Sequence, residues 1–171
     1  MSTAAHPRPF LQAALAVAVL VADQVSKFAV EKFTTVGSLH VLIPGLLNFV
    51  HTSNRGVAFG LFADSSSPWL SPVLVAFSIG VIVLLFWLLA TSRAGGPLGQ
   101  LGLALILGGA AGNVLDRVVR HSVTDFIDFH IGSYHWYTFN LADSAIVCGA
   151  ALVVLELFRD WSHHTSERAQ G

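Results

Sequence analysis

A chain of 171 residues that is 54% hydrophobic and only 11% charged carries about half the charge share of an ordinary soluble domain. It cannot bury that much apolar surface in a core of its own, so lipid must be part of its solvent. A formal net charge of −1 without a basic block argues against nucleic acid as a partner, and a single cysteine, Cys148, excludes an internal disulfide.

Four stretches have the length and polarity of membrane helices, each needing roughly 20 residues. The first, residues 10–32, competes with a cleaved signal peptide, given Arg8, a short apolar run and small residues around Ala22. Its polar end and the three spans that follow favour a retained anchor. Residues 34–68 are mixed: 39–50 are rich in Val, Leu, Ile and Phe, and Pro44-Gly45 marks a turn, which predicts short strands outside the bilayer core. The second span covers 69–89. A tight turn at 93–97 leads into the third, 98–119. Trp69, Tyr134, Trp136 and Tyr137 fit an interfacial aromatic belt. The fourth span is 140–158, and the polar tail 160–171 is expected to be mobile.

With no repeat or internal boundary, residues 1–171 read as a single polytopic membrane domain. Its fold class is all-α, with four transmembrane helices and a small extracytoplasmic β-sheet region. Four spans place both termini on one side. Arg8, Arg93, Arg159 and Arg168 would then lie together, in the cytoplasm by the positive-inside rule. Lys32, Arg55, Arg117 and Arg120 lie opposite, with Lys27 nearby, so the orientation rests partly on Lys27, Arg55 and Arg117 serving a site.

Polar groups at membrane depth are informative, because each costs roughly 2.5–3.5 kcal/mol at a helix centre. Asp23 and Lys27 close the first helix at i,i+4; Asn113, Asp116 and Arg117 close the third; Asn140, Asp143 and Ser144 open the fourth. Asn54 and Arg55 come from the loop, and Asp125 and Asp128 from the segment before the fourth helix. Asp116 and Asp128, taken singly, also read as ordinary interfacial residues. Gly108, Gly109 and Gly112 read as helix-packing positions.

The chemistry narrows by residue type. Ser26 and Lys27 are sequence neighbours and point about 100° apart on a helix, so they make no serine–lysine dyad. Ser144 has no evident histidine base. The eight histidines contain no His-Glu-x-x-His, and His130 and His135 sit in what reads as an exposed aromatic loop, a weak case for zinc. Cys148 lies too deep in an apolar run for an activated thiol. Aspartates remain: two that share one proton can activate water and protonate a scissile amide, with Asn54, Asn113, Asn140 and Arg117 as candidate oxyanion donors. Spacing does not choose the pair among Asp23, Asp116, Asp125, Asp128 and Asp143.

Asp23-Gln-Val-Ser-Lys27, Asn54-Arg-Gly-Val-Ala-Phe-Gly60, Gly112-Asn-Val-Leu-Asp-Arg117, Val123-Thr-Asp-Phe-Ile-Asp128 and Phe139-Asn-Leu-Ala-Asp-Ser144 together resemble the lipoprotein signal peptidase (signal peptidase II) family. The blocks fall in the family's order across nearly the whole chain. The resemblance implies a bacterial inner-membrane aspartic endopeptidase with both termini cytoplasmic and its site near the extracytoplasmic face. It implies removal of signal peptides from diacylglyceryl-modified prolipoproteins, just before the lipid-bearing cysteine, with membrane lipid as the other partner. The family's catalytic pair falls on Asp125 and Asp143. Asn54, Asn113, Arg117 and Asn140 match residues that line the site, and Asp23 and Lys27 match a first-helix motif. No metal or cofactor is implied. Thr124 stands where the family often has an apolar residue. The rival readings are a small proton-coupled transporter, for which no inverted repeat is found, and a non-enzymatic membrane assembly factor.

Overall fold

The computed structural model describes residues 9–56, 69–91 and 95–169, with residue 9 and residues 163–169 described by backbone alone. The last third of the 34–68 segment, including the Val57–Gly60 end of one motif, and the side chains of Arg8, Arg93 and Arg168 therefore lie outside the described residues.

Four helices, α1 (Pro9–Phe33), α2 (Leu70–Ala90), α3 (Pro97–Arg120) and α4 (Leu141–Ala169), are each long and apolar enough to cross a membrane. Each expected span is recovered to within a residue or two at most ends. The exception is α4, which runs on through the stretch expected to be a mobile tail. Polarity there marks an exit from lipid rather than an end to the helix, since Glu, Arg and Ala are good helix formers.

Helix α3 is the central element and touches each of the other three. Its sequence suits that position. Pro97 follows an extended Gly96 at the first helical turn, where a missing N–H costs nothing, and glycines recur along its buried faces. A Cβ on Gly108 would lie 2.5 Å from the Ala16 carbonyl of α1, and one on Gly102 would lie 2.5 Å from the Gly149 carbonyl of α4. Gly109 faces Ala142 and Ile146 of α4. Backbones thus approach closely on two sides, where lipid supplies no hydrophobic drive and packing must hold the helices together. Helix α2 leans on α3 through Leu85 and Leu89 against Leu103, and most of its remaining surface is exposed apolar side chain, as expected against lipid.

Outside the helices, the described residues form a four-stranded antiparallel sheet in the order β1 (Leu39–Ile43), β2 (Leu47–Asn54), β3 (Val123–Ile131), β4 (Tyr134–His135). The Pro44-Gly45 turn joins β1 and β2, with Gly45 at φ 75 and the Leu46 N–H closing on the Ile43 carbonyl. The strands expected within 39–50 are therefore present, and β2 runs four residues further. Strands β3 and β4 were not anticipated. Asp125, Asp128 and Thr124 break the apolar alternation that announces a strand, and their polar side chains are satisfied by tertiary partners.

Helix α3 ends at His121, which takes a left-handed conformation at φ 60 and donates its N–H to Arg117. That reversal sends the chain straight into β3. After β4 the chain folds back along β3: the N–H groups of Phe126 and Ile127 both donate to the Phe139 carbonyl. The return delivers Asn140 and the start of α4 beside Asp125.

Candidate active site

The first turn of α4 is held by polar side chains. Asn140 immediately precedes the helix, and its side-chain carbonyl accepts the Asp143 N–H at 3.0 Å. The Asp143 carboxylate reaches back to the Asn140 N–H at 3.3 Å. This is a reciprocal capping box with an aspartate in the third helical position. The Ala142 N–H is taken by Asp23 of α1 at 3.0 Å. Two carboxylates therefore sit at a helix N-terminus, where free N–H groups and the helix dipole favour negative charge.

Asp125 comes from β3 and is 1% exposed. Its two carboxyl oxygens accept the Asn140 side-chain amide at 2.7 Å and the Asn54 amide at 3.0 Å. Burial, and next the negative charge of Asp143, push its pKa up to about 7, against the opposing pull of the Asn54 and Asn140 hydrogen bonds and the Lys27 charge. Asp143 is half-buried, and its other oxygen accepts the Asn113 amide at 2.8 Å. Asn140 is the hinge of the pair, bonded to Asp125 through its side chain and to Asp143 through both its backbone and its side chain.

Beneath the pair lies a buried ionic cluster. Lys27 is fully buried, 2.8 Å from Asp23 and 2.7 Å from Asp116, and it donates to Asn113 at 2.9 Å. Asp116 also takes Gln24 at 2.9 Å and Arg120 at 2.5 Å, and Arg120 goes on to Glu31 at 3.0 Å. Thr124, the departure from the family pattern, uses its hydroxyl to reach Glu31 at 2.6 Å, tying the base of β3 to α1. One lysine between two buried carboxylates leaves a negative balance that Arg120 offsets from the rim.

All eight candidate residues belong to one connected region, in which Asp125, Asp143, Asn140, Asn113, Lys27, Asp23 and Asn54 form an unbroken hydrogen-bond network. Arg117 stands at its side. It donates to the Gly56 carbonyl at 2.9 Å and to the Asn113 carbonyl at 3.3 Å, so it fixes the end of the β2 segment beside Asn54 rather than either aspartate. Two expectations change. The three asparagines do more than offer oxyanion donors, since their amides also hold the aspartates. Asp116 and Asp128 are not ordinary interfacial residues, being 0% and 5% exposed. Asp116 was detectable in principle: it lies at i,i+4 from Arg120 on a glycine-lined helix, a poor place for an unpaired carboxylate.

The discarded nucleophiles are otherwise engaged. Ser26 donates to the Asp23 carbonyl at 2.7 Å and Ser144 to the Asn140 carbonyl at 3.0 Å. Cys148 is exposed on a membrane-spanning helix. Asp128 binds Asn48 at 2.8 Å and His135 at 3.0 Å. Although desolvation opposes it, those hydrogen bonds and the nearby imidazoles hold its carboxyl below the usual carboxylate range. His130 is buried on β3, against expectation, whereas His135, its partner on β4, is exposed as expected, although on a strand.

The family model described as signal peptidase (SPase) II matches residues 15–159. A lipoprotein signal peptidase of Solibacter usitatus is 41% identical over 145 residues, 85% of this chain and 88% of that protein. One from Burkholderia mallei is 44% identical over 142 residues, covering 82% and 83%. A solved bacterial membrane enzyme, determined by the in meso method at 2.3 Å resolution, superposes with a TM-score of 0.79 at 28% identity over 90% of both chains. A second, at 1.9 Å resolution, gives 0.76 at 27% identity over 88% of this chain and 94% of that one. Matched along most of its length by family and relatives alike, the chain belongs to the signal peptidase II family of membrane aspartic proteases.

Proposed function

We propose that Asp125 and Asp143 are the catalytic pair of an endopeptidase that removes signal peptides from diacylglyceryl-modified prolipoproteins. The observation that carries this reading is Asn140, which binds both carboxylates and fixes them on neighbouring elements of one network. In the resting site Asp125 holds the shared proton, since it is the deeply buried member and its pKa lies near 7. Asp143, at the helix N-terminus and bonded to the Asn140 N–H and the Asn113 amide, is the ionised member.

Asp143 removes a proton from a water that attacks the scissile carbonyl carbon, while Asp125 gives its proton to the carbonyl oxygen. The tetrahedral adduct collapses as Asp143 passes the proton it took to the leaving amine and a hydroxyl proton returns to Asp125. The bond broken is the amide C–N, and one water is consumed. A lipid-anchored substrate fits a pair set at the junction of sheet and helices. Its acyl chains stay against apolar helix faces, and the peptide enters beside the β2 end of the sheet, near Asn54. The same reading puts the chain in the bacterial inner membrane, as one polytopic domain, with the sheet outside and both termini in the cytoplasm.

The test is cleavage of a diacylglyceryl-modified prolipoprotein by purified wild type, Asp125→Asn and Asp143→Asn. Both substitutions keep the side chain's shape and one of its two accepted hydrogen bonds. Each is expected to lower turnover by about 10³-fold or more, as for groups that act as a unit. Wild-type cleavage by either variant would refute the pair.

A further inference from the structure

A second cluster of chemistry-bearing side chains lies on the sheet and, among the described residues, shares no hydrogen-bond partner with the aspartate pair. Asp128, His130 and His135 each offer a donor atom, and these atoms lie within 4.8 Å of one another. The Asp128 carboxylate is 3.0 Å from His135 Nδ1 and 4.0 Å from His130 Nδ1. The imidazoles stack at 4.7 Å between centroids and 13° between planes, with both Nδ1 edges turned toward the one carboxylate.

We propose that Asp128, His130 and His135 bind a divalent transition cation, zinc above all, on the β3–β4 hairpin. The backbone fixes the histidines, for His130 and His135 are register partners across the hairpin and Gly132 turns it at φ +60. Asp128 is anchored from behind by Asn48 at 2.8 Å, the kind of outer bond that orients a metal-ligating carboxylate. His130 is the residue that a purely hydrogen-bonded cluster leaves unexplained. It is buried, yet its Nδ1 lies 4.0 Å from the carboxylate and 3.5 Å from Asn48 Nδ2, at or beyond the limit of a hydrogen bond.

Zinc bonds of about 2.0–2.1 Å in tetrahedral geometry place ligand atoms roughly 3.3 Å apart. The 3.0 and 4.0 Å separations bracket that value, so closure needs a shift of under 1 Å between Asp128 and His130, with the exposed His135 ring free to turn out of the stack toward the ion. Two imidazoles and a carboxylate favour zinc over calcium or magnesium, and the exposed side leaves a fourth position to water. The cation clamps the hairpin from which the chain returns to Asn140; it takes no part in peptide hydrolysis.

The experiment titrates untagged, metal-stripped protein in detergent with Co²⁺, reading its visible absorption, and then with Zn²⁺ as competitor. One Co²⁺ per chain with tetrahedral absorption and a Kd below about 10 μM is expected. His135→Ala, an exposed change that leaves Asp128 held by Asn48, should weaken binding about 10–100-fold, and Asp128→Asn should do the same. The double variant His163→Ala/His164→Ala should bind as wild type. No stoichiometric binding, or undiminished binding by a folded His135→Ala protein, would overturn the site.

Discussion

Lys27 donates to the side-chain carbonyl of Asn113 at 2.9 Å, which leaves the Asn113 amide to face Asp143 at 2.8 Å. A buried lysine thus orients an aspartate it does not itself touch. Its removal also unbalances the ionic cluster beneath. Lys27→Met leaves Asp23 and Asp116 as buried carboxylates without their shared cation, a loss of about 3–5 kcal/mol for a broken buried pair. Denaturation in detergent micelles should show a loss of that order. A variant as stable as wild type would mean the two carboxylates are protonated, with Lys27 dispensable.

Asn140 combines a cap and a bridge, and substitutions separate them. Asn140→Ser keeps a capping oxygen for the α4 N–H groups and loses the amide on Asp125. Its stability should stay within about 0.5 kcal/mol of wild type, while turnover falls about 10²-fold. Asn140→Ala loses both functions and should cost about 1 kcal/mol more in stability. Equal turnover in wild type and Asn140→Ser would show that the bridge is incidental.

The raised pKa of Asp125 sets a pH window. The folded protein holds this proton up to about pH 7, whereas the unfolded chain releases it near 4, so folding binds protons between those values. This group's contribution therefore disfavours folding progressively as pH rises from about 4 to 7 and is constant above. Activity follows the same proton. If Asp125 is the acid, kcat/KM should fall on the alkaline side of about pH 7, the upper macroscopic value of the coupled pair. A profile flat to pH 9 would place the shared proton on a group of much higher pKa.

The four spans were legible because transmembrane helices announce themselves by length and apolarity, and the β1–β2 hairpin because Pro44-Gly45 interrupts a β-rich run. Strand β3 was hidden because its informative residues are polar and satisfied from elsewhere: Asp125 by two asparagines from β2 and the start of α4, Thr124 by Glu31 of α1. The aspartate pair was reached through ordered motifs and not through spacing. Only the fold-back of 136–139 along β3 brings Asp125 to Asn140, and nothing local encodes that contact. Asp116 shows the limit in part: Arg120 lies at i,i+4 on its own helix, but its other partner, Lys27, lies on another.

Close helix contact supports the site, and three glycines test it by degree. Gly102 and Gly149 face each other across α3 and α4, each Cβ meeting the other's carbonyl at 2.5 Å. Gly102→Ala must push the helices apart and should destabilise by about 1–3 kcal/mol, measured by thermal unfolding in micelles. Gly80 on α2 has nothing within 4 Å of an added Cβ, so Gly80→Ala should be neutral or slightly stabilising, by at most about 1 kcal/mol. Gly112 lies between, since its Cβ would sit 2.5 Å from Asp23 Oδ2 and within reach of Ala142 in the first turn of α4. Gly112→Ala should therefore displace the carboxylate that holds Lys27 and the Ala142 N–H, and lower turnover out of proportion to any loss of stability. If turnover in Gly112→Ala merely tracks the fraction folded, the ionic cluster does not position the pair.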